Sequence, residues 1–147
     1  MKSLAILAVV LVGIIATILR GAETQPATAA SQAGLLAIRY ERTGGFVGTD
    51  DVIEITPAGA VVVQGKLMGN GKGQLTAEQM SRLAGLFAEW KTLKGSYPAP
   101  AGSADGFEVK IRYGTVEVSA SELNGAVPGV FKAVRGALEQ VAQDIKK

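Results

Sequence analysis

The chain has 147 residues, with 15 basic and 13 acidic side chains and neither histidine nor cysteine. The missing residue types exclude a Ser-His-Asp triad, a thiolate nucleophile, a histidine-ligated zinc site and any disulfide. The charges nearly balance, and no stacking aromatic residues are interleaved with basic clusters, so we expect no nucleic-acid partner. We therefore predict a non-enzymatic protein that uses no cofactor and no metal.

An apolar run occupies residues 4–19. As a helix it would extend about 24 Å, which is short for a hydrocarbon core of about 30 Å and long for the core of a signal peptide. Residues 1–22 are therefore either a signal peptide or a membrane anchor, and both alternatives stay open. In both cases we expect the rest of the chain outside the cytoplasm: periplasmic, secreted or tethered to the membrane. Small polar residues at 23–33 predict a flexible linker, and residues 34–147 a single domain.

The first part of this domain predicts strands. Apolar and polar residues alternate there in short runs, as in strands with one buried face. Pro57-Ala58-Gly59 marks a turn between the second and the third run. The three predicted strands cover residues 35–41, 51–56 and 60–64.

Residues 65–74 contain four glycines and are expected to form a mobile loop. A phosphate-binding loop needs a glycine five positions before a Gly-Lys pair and a serine or threonine after it. The segment lacks that pattern, which argues against a nucleotide site. What role the segment has stays open.

Thr76 and Gln79 form the pattern of a capping box, which predicts that a helix begins there. Its apolar residues recur at intervals of three and four and stack on one face. We interpret this stripe, which includes Trp90, as core rather than as a platform for a ligand. Gly95 and a second loop at residues 97–102 end the helix. The stripe consists of Met80, Leu83, Phe87 and Trp90.

The last part of the domain predicts a hairpin and a closing helix. Residues 107–112 and 115–119 alternate apolar and charged side chains around a Tyr-Gly turn. Pro128 suits the first turn of a helix whose apolar residues repeat at a helical period. The order βββ-α-ββ-α predicts an α+β fold, an antiparallel sheet of about five strands with two amphipathic helices on one face. The helical repeat consists of Val130, Val134, Leu138, Val141 and Ile145.

Without histidine or cysteine, paired carboxylates are the remaining enzymatic option. Asp50 and Asp51 point to opposite faces of a strand, and Glu54 faces away from Asp51. We interpret these three as solvated turn and edge charges. The charged residues of the hairpin are expected on its exposed face, with cross-strand pairs worth a few tenths of a kcal/mol each. They are Glu108, Lys110, Arg112 and Glu117.

The segment from Thr43 to Gly48 places Phe46 among three glycines. Glycines permit unusual backbone angles but cost conformational order, so they are an odd setting for an aromatic residue. One interpretation is a presented aromatic side chain or a close approach of another backbone. The other is that Phe46 folds under the loop and plugs the core. Both stay open.

The run Ile-Arg-Tyr-Glu-Arg-Thr-Gly-Gly-Phe-Val-Gly at residues 38–48 resembles the emfourin family of protealysin inhibitors. In that family's pattern a strand leads into an arginine, a Gly-Gly-Phe turn and a small residue before a glycine. Three later segments follow in the same order, so the resemblance covers residues 35–140. Residues 1–33 and the glycine-rich segment depart from it. The later segments are Leu75-Thr76-Ala77-Glu78, Asp105-Gly106-Phe107 and Val127-Pro128.

The resemblance implies a non-catalytic α+β protein that binds thermolysin-like zinc metalloproteases and blocks their active-site cleft. The turn would lay its backbone along the cleft while Phe46 fills an apolar pocket. The expected protein-binding residues are Gly44, Gly45, Phe46, Val47 and Gly48.

A second hypothesis is a membrane-anchored structural or assembly module with no protease partner, held in the membrane by residues 4–19 if they are not cleaved. It predicts that Phe46 is buried and that its replacement costs about 3–5 kcal/mol of stability. The inhibitor hypothesis predicts instead that Phe46→Ala abolishes a complex with a zinc endopeptidase.

Overall fold

The computed structural model describes residues 34–46, 48–103 and 105–146. The apolar run at 4–19 and the linker at 23–33 lie outside the described residues, so the choice between signal peptide and anchor stays a prediction. Val47 also lies outside the described residues. Within the described ranges, neither α-helix combines the length and the apolar character that crossing a bilayer requires. The core residues all belong to one compact unit, Ser31–Lys147.

The described residues form one sheet of seven strands, in the order β4-β3-β2-β1-β6-β7-β5. The sheet is mixed, because the short β5 runs parallel to β7 while the other neighbours are antiparallel. The predicted α+β class is confirmed, and the predicted five-stranded antiparallel sheet is matched only approximately. The strands are β1 (Ile38–Gly44), β2 (Thr49–Ile55), β3 (Ala60–Gly65), β4 (Gly71–Gln74), β5 (Ser96–Tyr97), β6 (Phe107–Tyr113) and β7 (Val116–Ser121).

The prediction of a mobile loop over residues 65–74 is wrong for its second half, since β4 pairs with β3. The glycines of β4 have a packing role. A Cβ at Gly71 or Gly73 would lie 2.9 Å from a side-chain carbon of Ile145. The strand lacks side chains where the end of the closing helix rests on it.

Two α-helices cover one face of the sheet: α1 (Ala77–Leu86) and α2 (Gly129–Ile145). The predicted capping box is confirmed, because Thr76 accepts from the amide of Gln79 while the Gln79 side chain accepts from the amide of Thr76. Helix α1 ends earlier than predicted, and Trp90 lies in a separate 3₁₀ turn. Pro128 is the N-cap of α2.

The core lies between the helices and the covered face of the sheet. Trp90 is completely buried there, as predicted, and its indole nitrogen donates to the carbonyl oxygen of Val116 at 3.3 Å. Phe87 stacks on Tyr113 with ring centroids 4.1 Å apart, and Trp90 stacks on Phe131 at 5.8 Å. The two helices and the second half of the sheet therefore share one aromatic cluster.

Nothing among the described residues covers the opposite face of the sheet, which carries the predicted charged residues. Arg112 and Glu117 pair at 2.8 Å between β6 and β7. Arg39 pairs with Glu41 at 2.6 Å and also with Glu54. These half-exposed pairs keep the open face polar and contribute little stability.

The antiparallel order brings four connections to one end of the sheet, which we call the tip end: the β1–β2, β3–β4 and β5–β6 loops and the β7–α2 connection. The chain enters β1 at the other end. The Gly-Gly-Phe segment forms the β1–β2 turn at the tip end.

Candidate functional site

Phe46 is the most exposed large apolar side chain in the described part of the chain, with 95% of its surface accessible. The expectation that Phe46 plugs the core is wrong. Phe107 occupies the space beneath the turn instead: a Cβ at Gly45 would lie 2.6 Å from the Phe107 ring. The membrane-module hypothesis predicts a buried Phe46, and that prediction is wrong.

The glycines of the turn are required for two reasons, a positive φ and close packing. Gly44, Gly45 and Gly48 all have positive φ, at 101°, 70° and 59°. Gly44 and Gly45 also pack directly on the start of β6, since a Cβ at Gly44 would lie 2.7 Å from the carbonyl oxygen of Gly106. Gly48 meets nothing within 4 Å and needs glycine for its backbone angle alone.

Hydrogen bonds hold the turn from both sides. The amide of Gly45 donates to the carbonyl of Gly106 at 3.3 Å, and the amide of Gly48 donates to the carbonyl of Gly45 at 3.1 Å. On the other side the Lys66 ammonium donates to the carbonyl of Gly48 at 3.1 Å. The Thr49 hydroxyl closes the base of the turn by donating to the carbonyl of Gly44 at 2.8 Å. These hydrogen bonds restrain the conformation of the turn in the unbound protein.

Arg42 connects the turn to the helix layer. Its guanidinium carbon lies 4.0 Å from the centroid of the Phe107 ring, a cation–π contact, and its Nε lies 3.3 Å from the Glu122 carboxylate. Glu122 also pairs with Arg135 of α2 at 2.6 Å. This ion-paired layer supports the aromatic ring on which Gly45 rests.

The layer continues along α2 to Tyr40. Arg135 pairs with Glu139 at 2.8 Å, and the Tyr40 hydroxyl donates to the same Glu139 oxygen at 2.9 Å. Burial, together with the negative charge of Glu139, raises the pKa of Tyr40 well above its usual value. Tyr40 therefore stays a neutral hydrogen-bond donor throughout the neutral range.

Two further exposed leucines lie at the tip end. Leu67 in the β3–β4 loop is 54% exposed and Leu123 after β7 is 46% exposed. Leu123 packs against Gly106: a Cβ at Gly106 would lie 2.7 Å from the Leu123 side chain. Gly106 also contacts the Gly44-Gly45 pair. Sequence reasoning missed both leucines. The available signal was an isolated leucine in a connection rich in glycine or turn residues.

Asp51 does not fit the prediction of a solvated charge, because it is completely buried. Its Oδ1 accepts from the amides of Leu67 at 2.9 Å and Met68 at 3.1 Å. Asp51 thus holds the β3–β4 loop that exposes Leu67. Asp50 and Glu54 are exposed, as predicted, and the three carboxylates do not share a face.

The structure brings Gly44, Gly45, Phe46 and Gly48 together as one presented turn, and Val47 of the predicted set lies outside the described residues. Within the ranges that the structure covers, no three acidic, histidine or cysteine side chains are grouped as metal ligands would be. The arrangement offers an aromatic side chain on a fixed backbone, which is suited to contact with another protein. Compared with known proteins, the chain matches no protein-family model and no curated protein.

Proposed function

We propose that this chain is a non-catalytic binding domain that inserts its β1–β2 turn into the active-site cleft of a thermolysin-like zinc metalloprotease and blocks it. The observation that carries the proposal is the almost complete exposure of Phe46 on a turn held by backbone hydrogen bonds. Burying such a side chain contributes about 1.5–3 kcal/mol to a complex. Because the turn is already ordered, the entropy cost of fixing its conformation on binding offsets little of this energy.

The protease class comes from the resemblance to the emfourin family. Two segments that carry it, Gly44-Gly45-Phe46 and Asp105-Gly106-Phe107, meet at the tip end through the Gly45–Gly106 hydrogen bond. Through this contact the Asp-Gly-Phe segment supports the Gly-Gly-Phe turn. We further propose that the domain acts outside the cytoplasm, as the apolar run at residues 4–19 suggests.

The test is a titration of thermolysin-type peptidases with the purified protein and with its Phe46→Ala variant. We expect stoichiometric inhibition by the unchanged protein. The variant should keep its fold and lose at least tenfold in inhibition, or about 1.4 kcal/mol. Leu36→Ala is the matched control, because Leu36 is 46% exposed but lies at the opposite end of the sheet. Absence of inhibition against several such peptidases contradicts the proposal.

A further inference from the structure

An open groove of about 360 Å³ lies beside the tip end, between the β5–β6 loop and strand β7. This volume is at the small end of the range of about 300–1,000 Å³ for ligand sites. Its lining includes the hydroxyl groups of three strand serines, two carboxylates and one leucine. They belong to Ser96, Ser119, Ser121, Asp105, Glu108 and Leu123.

The two carboxylates of the groove have no ion-pair or hydrogen-bond partner among the residues that the structure describes. The carboxylates further along the same open face are paired, as in Arg112–Glu117. In the register of the sheet, Asp50 and Glu108 flank Thr43 in the row nearest the turn. Lys110 lies opposite Ser119 on the same face, and no ion pair joins it to either carboxylate among the described residues, so both carboxylates are free to bind a cationic side chain.

The groove is continuous with the Phe46 turn. Gly106 lines it, accepts the hydrogen bond from Gly45 and packs against Leu123, which is also part of the lining. The turn and the groove are thus adjacent at the tip end.

We propose that the protein bound at the Phe46 turn inserts an arginine side chain into the groove, a statement that rests on the proposed function for the identity of that protein. A guanidinium presents five donors in a planar fork that matches carboxylate oxygens. Asp105 and Glu108 supply the carboxylates, the serine hydroxyls accept the remaining donors, and Leu123 covers the aliphatic stem. Selectivity among peptidases then depends on an arginine beside the cleft.

The first arm of the test needs no peptidase. The ¹⁵N-labelled protein is titrated with N-acetyl-arginine amide and, separately, with its neutral isostere N-acetyl-citrulline amide. We expect saturable millimolar shifts of the Ser119 and Ser121 amide signals with arginine alone. The shifts persist in Phe46→Ala and disappear in the double variant Asp105→Asn/Glu108→Gln. Equal shifts with citrulline, or no shift, overturn the proposal.

The second arm measures inhibition with charge-matched variants. Asp105→Asn/Glu108→Gln should weaken inhibition about tenfold at low ionic strength, and the difference should shrink in salt. The control Glu78→Gln/Glu89→Gln removes the same charge from exposed residues outside the groove and should change inhibition less than twofold. Equal potency of the groove variant and the control overturns the proposal. Arginine binding without inhibition by the unchanged protein contradicts the proposed function and leaves the groove as an arginine site.

Discussion

The amide nitrogen of Gly45 donates to the carbonyl oxygen of Gly106 at 3.3 Å, and this bond joins two loops that are far apart in the sequence. Phe107, next in the chain, places its ring directly against the Cα of Gly45. The exposed position of Phe46 follows from this contact, since the space beneath the turn is already filled.

Gly45→Ala should therefore be more damaging than the same change at Gly48. Both residues have positive φ, so each variant should lose about 1 kcal/mol of unfolding free energy from backbone strain alone. At Gly45 the added methyl also collides with Phe107, whereas Gly48 faces open space. We expect a further 1 kcal/mol or so of destabilisation for Gly45→Ala in urea unfolding. Equal losses in the two variants would mean that Phe107 does not restrict the turn.

Phe46→Ala should leave the free energy of unfolding unchanged within about 0.5 kcal/mol, because the side chain is 95% exposed. Phe131→Ala is the matched control. Phe131 is 2% exposed and packs on Trp90, so its truncation should cost about 3–5 kcal/mol. Chemical denaturation of both variants measures the difference. A loss above about 2 kcal/mol for Phe46→Ala would contradict the presented turn.

Tyr40→Phe should make stability less sensitive to alkaline pH. The folded pKa of Tyr40 lies above its ordinary value of 10.0, mainly because of burial. A raised folded pKa stabilises the fold fully below the unfolded pKa, and this contribution falls as pH rises above it. At neutral pH the variant should lose about 1 kcal/mol with the hydrogen bond to Glu139.

The measurement is the free energy of unfolding of both proteins at about pH 7 and about pH 11. The unchanged protein should lose its advantage over Tyr40→Phe between the two conditions, since the unfolded tyrosine ionises near pH 10. An advantage that stays constant with pH would show that Tyr40 ionises equally easily in both states.

Gly73→Ala should destabilise the protein by about 1–2 kcal/mol, because the added Cβ would lie 2.9 Å from Cγ1 of Ile145. In an Ile145→Ala background that cost should vanish, as a double-mutant cycle in urea would measure. Gly136→Ala is the control: nothing lies within 4 Å of its added methyl in the interior of α2, so it should stabilise the fold. An equal cost of Gly73→Ala in both backgrounds would remove Ile145 as its cause.

The hairpin of β6 and β7 and the helix α2 were predictable because their periodicities of two and 3.6 residues are strong and uninterrupted. The start of α1 was predictable from a local hydrogen-bond pattern, the capping box. Strand β4 was not, since Gly-Lys-Gly-Gln has little strand propensity. Its pairing is imposed by β3 and by the approach of Ile145, which are tertiary effects.

The candidate site was predictable only in part. The glycines around Phe46 indicated an unusual turn, but Phe46 and Phe107 both follow glycines, and nothing local decides which of them fills the space beneath it. Asp51 shows the same limit. Its spacing of two residues from Ile53 places it on the buried face, yet the amides that bond its Oδ1 belong to a loop 16 and 17 residues later, at Leu67 and Met68.

Strand β1 begins at the chain's entry and finishes at the Phe46 turn. Seven strand residues at about 3.3 Å each separate these points by roughly 23 Å. The end of α2 is different: Lys146 reaches the β3–β4 loop, where its ammonium lies 3.5 Å from the carbonyl oxygen of Leu67. A fluorophore attached at residue 34 therefore lies at the end of the sheet opposite the turn. A fluorophore attached at Lys146 lies beside the β3–β4 loop at the tip end.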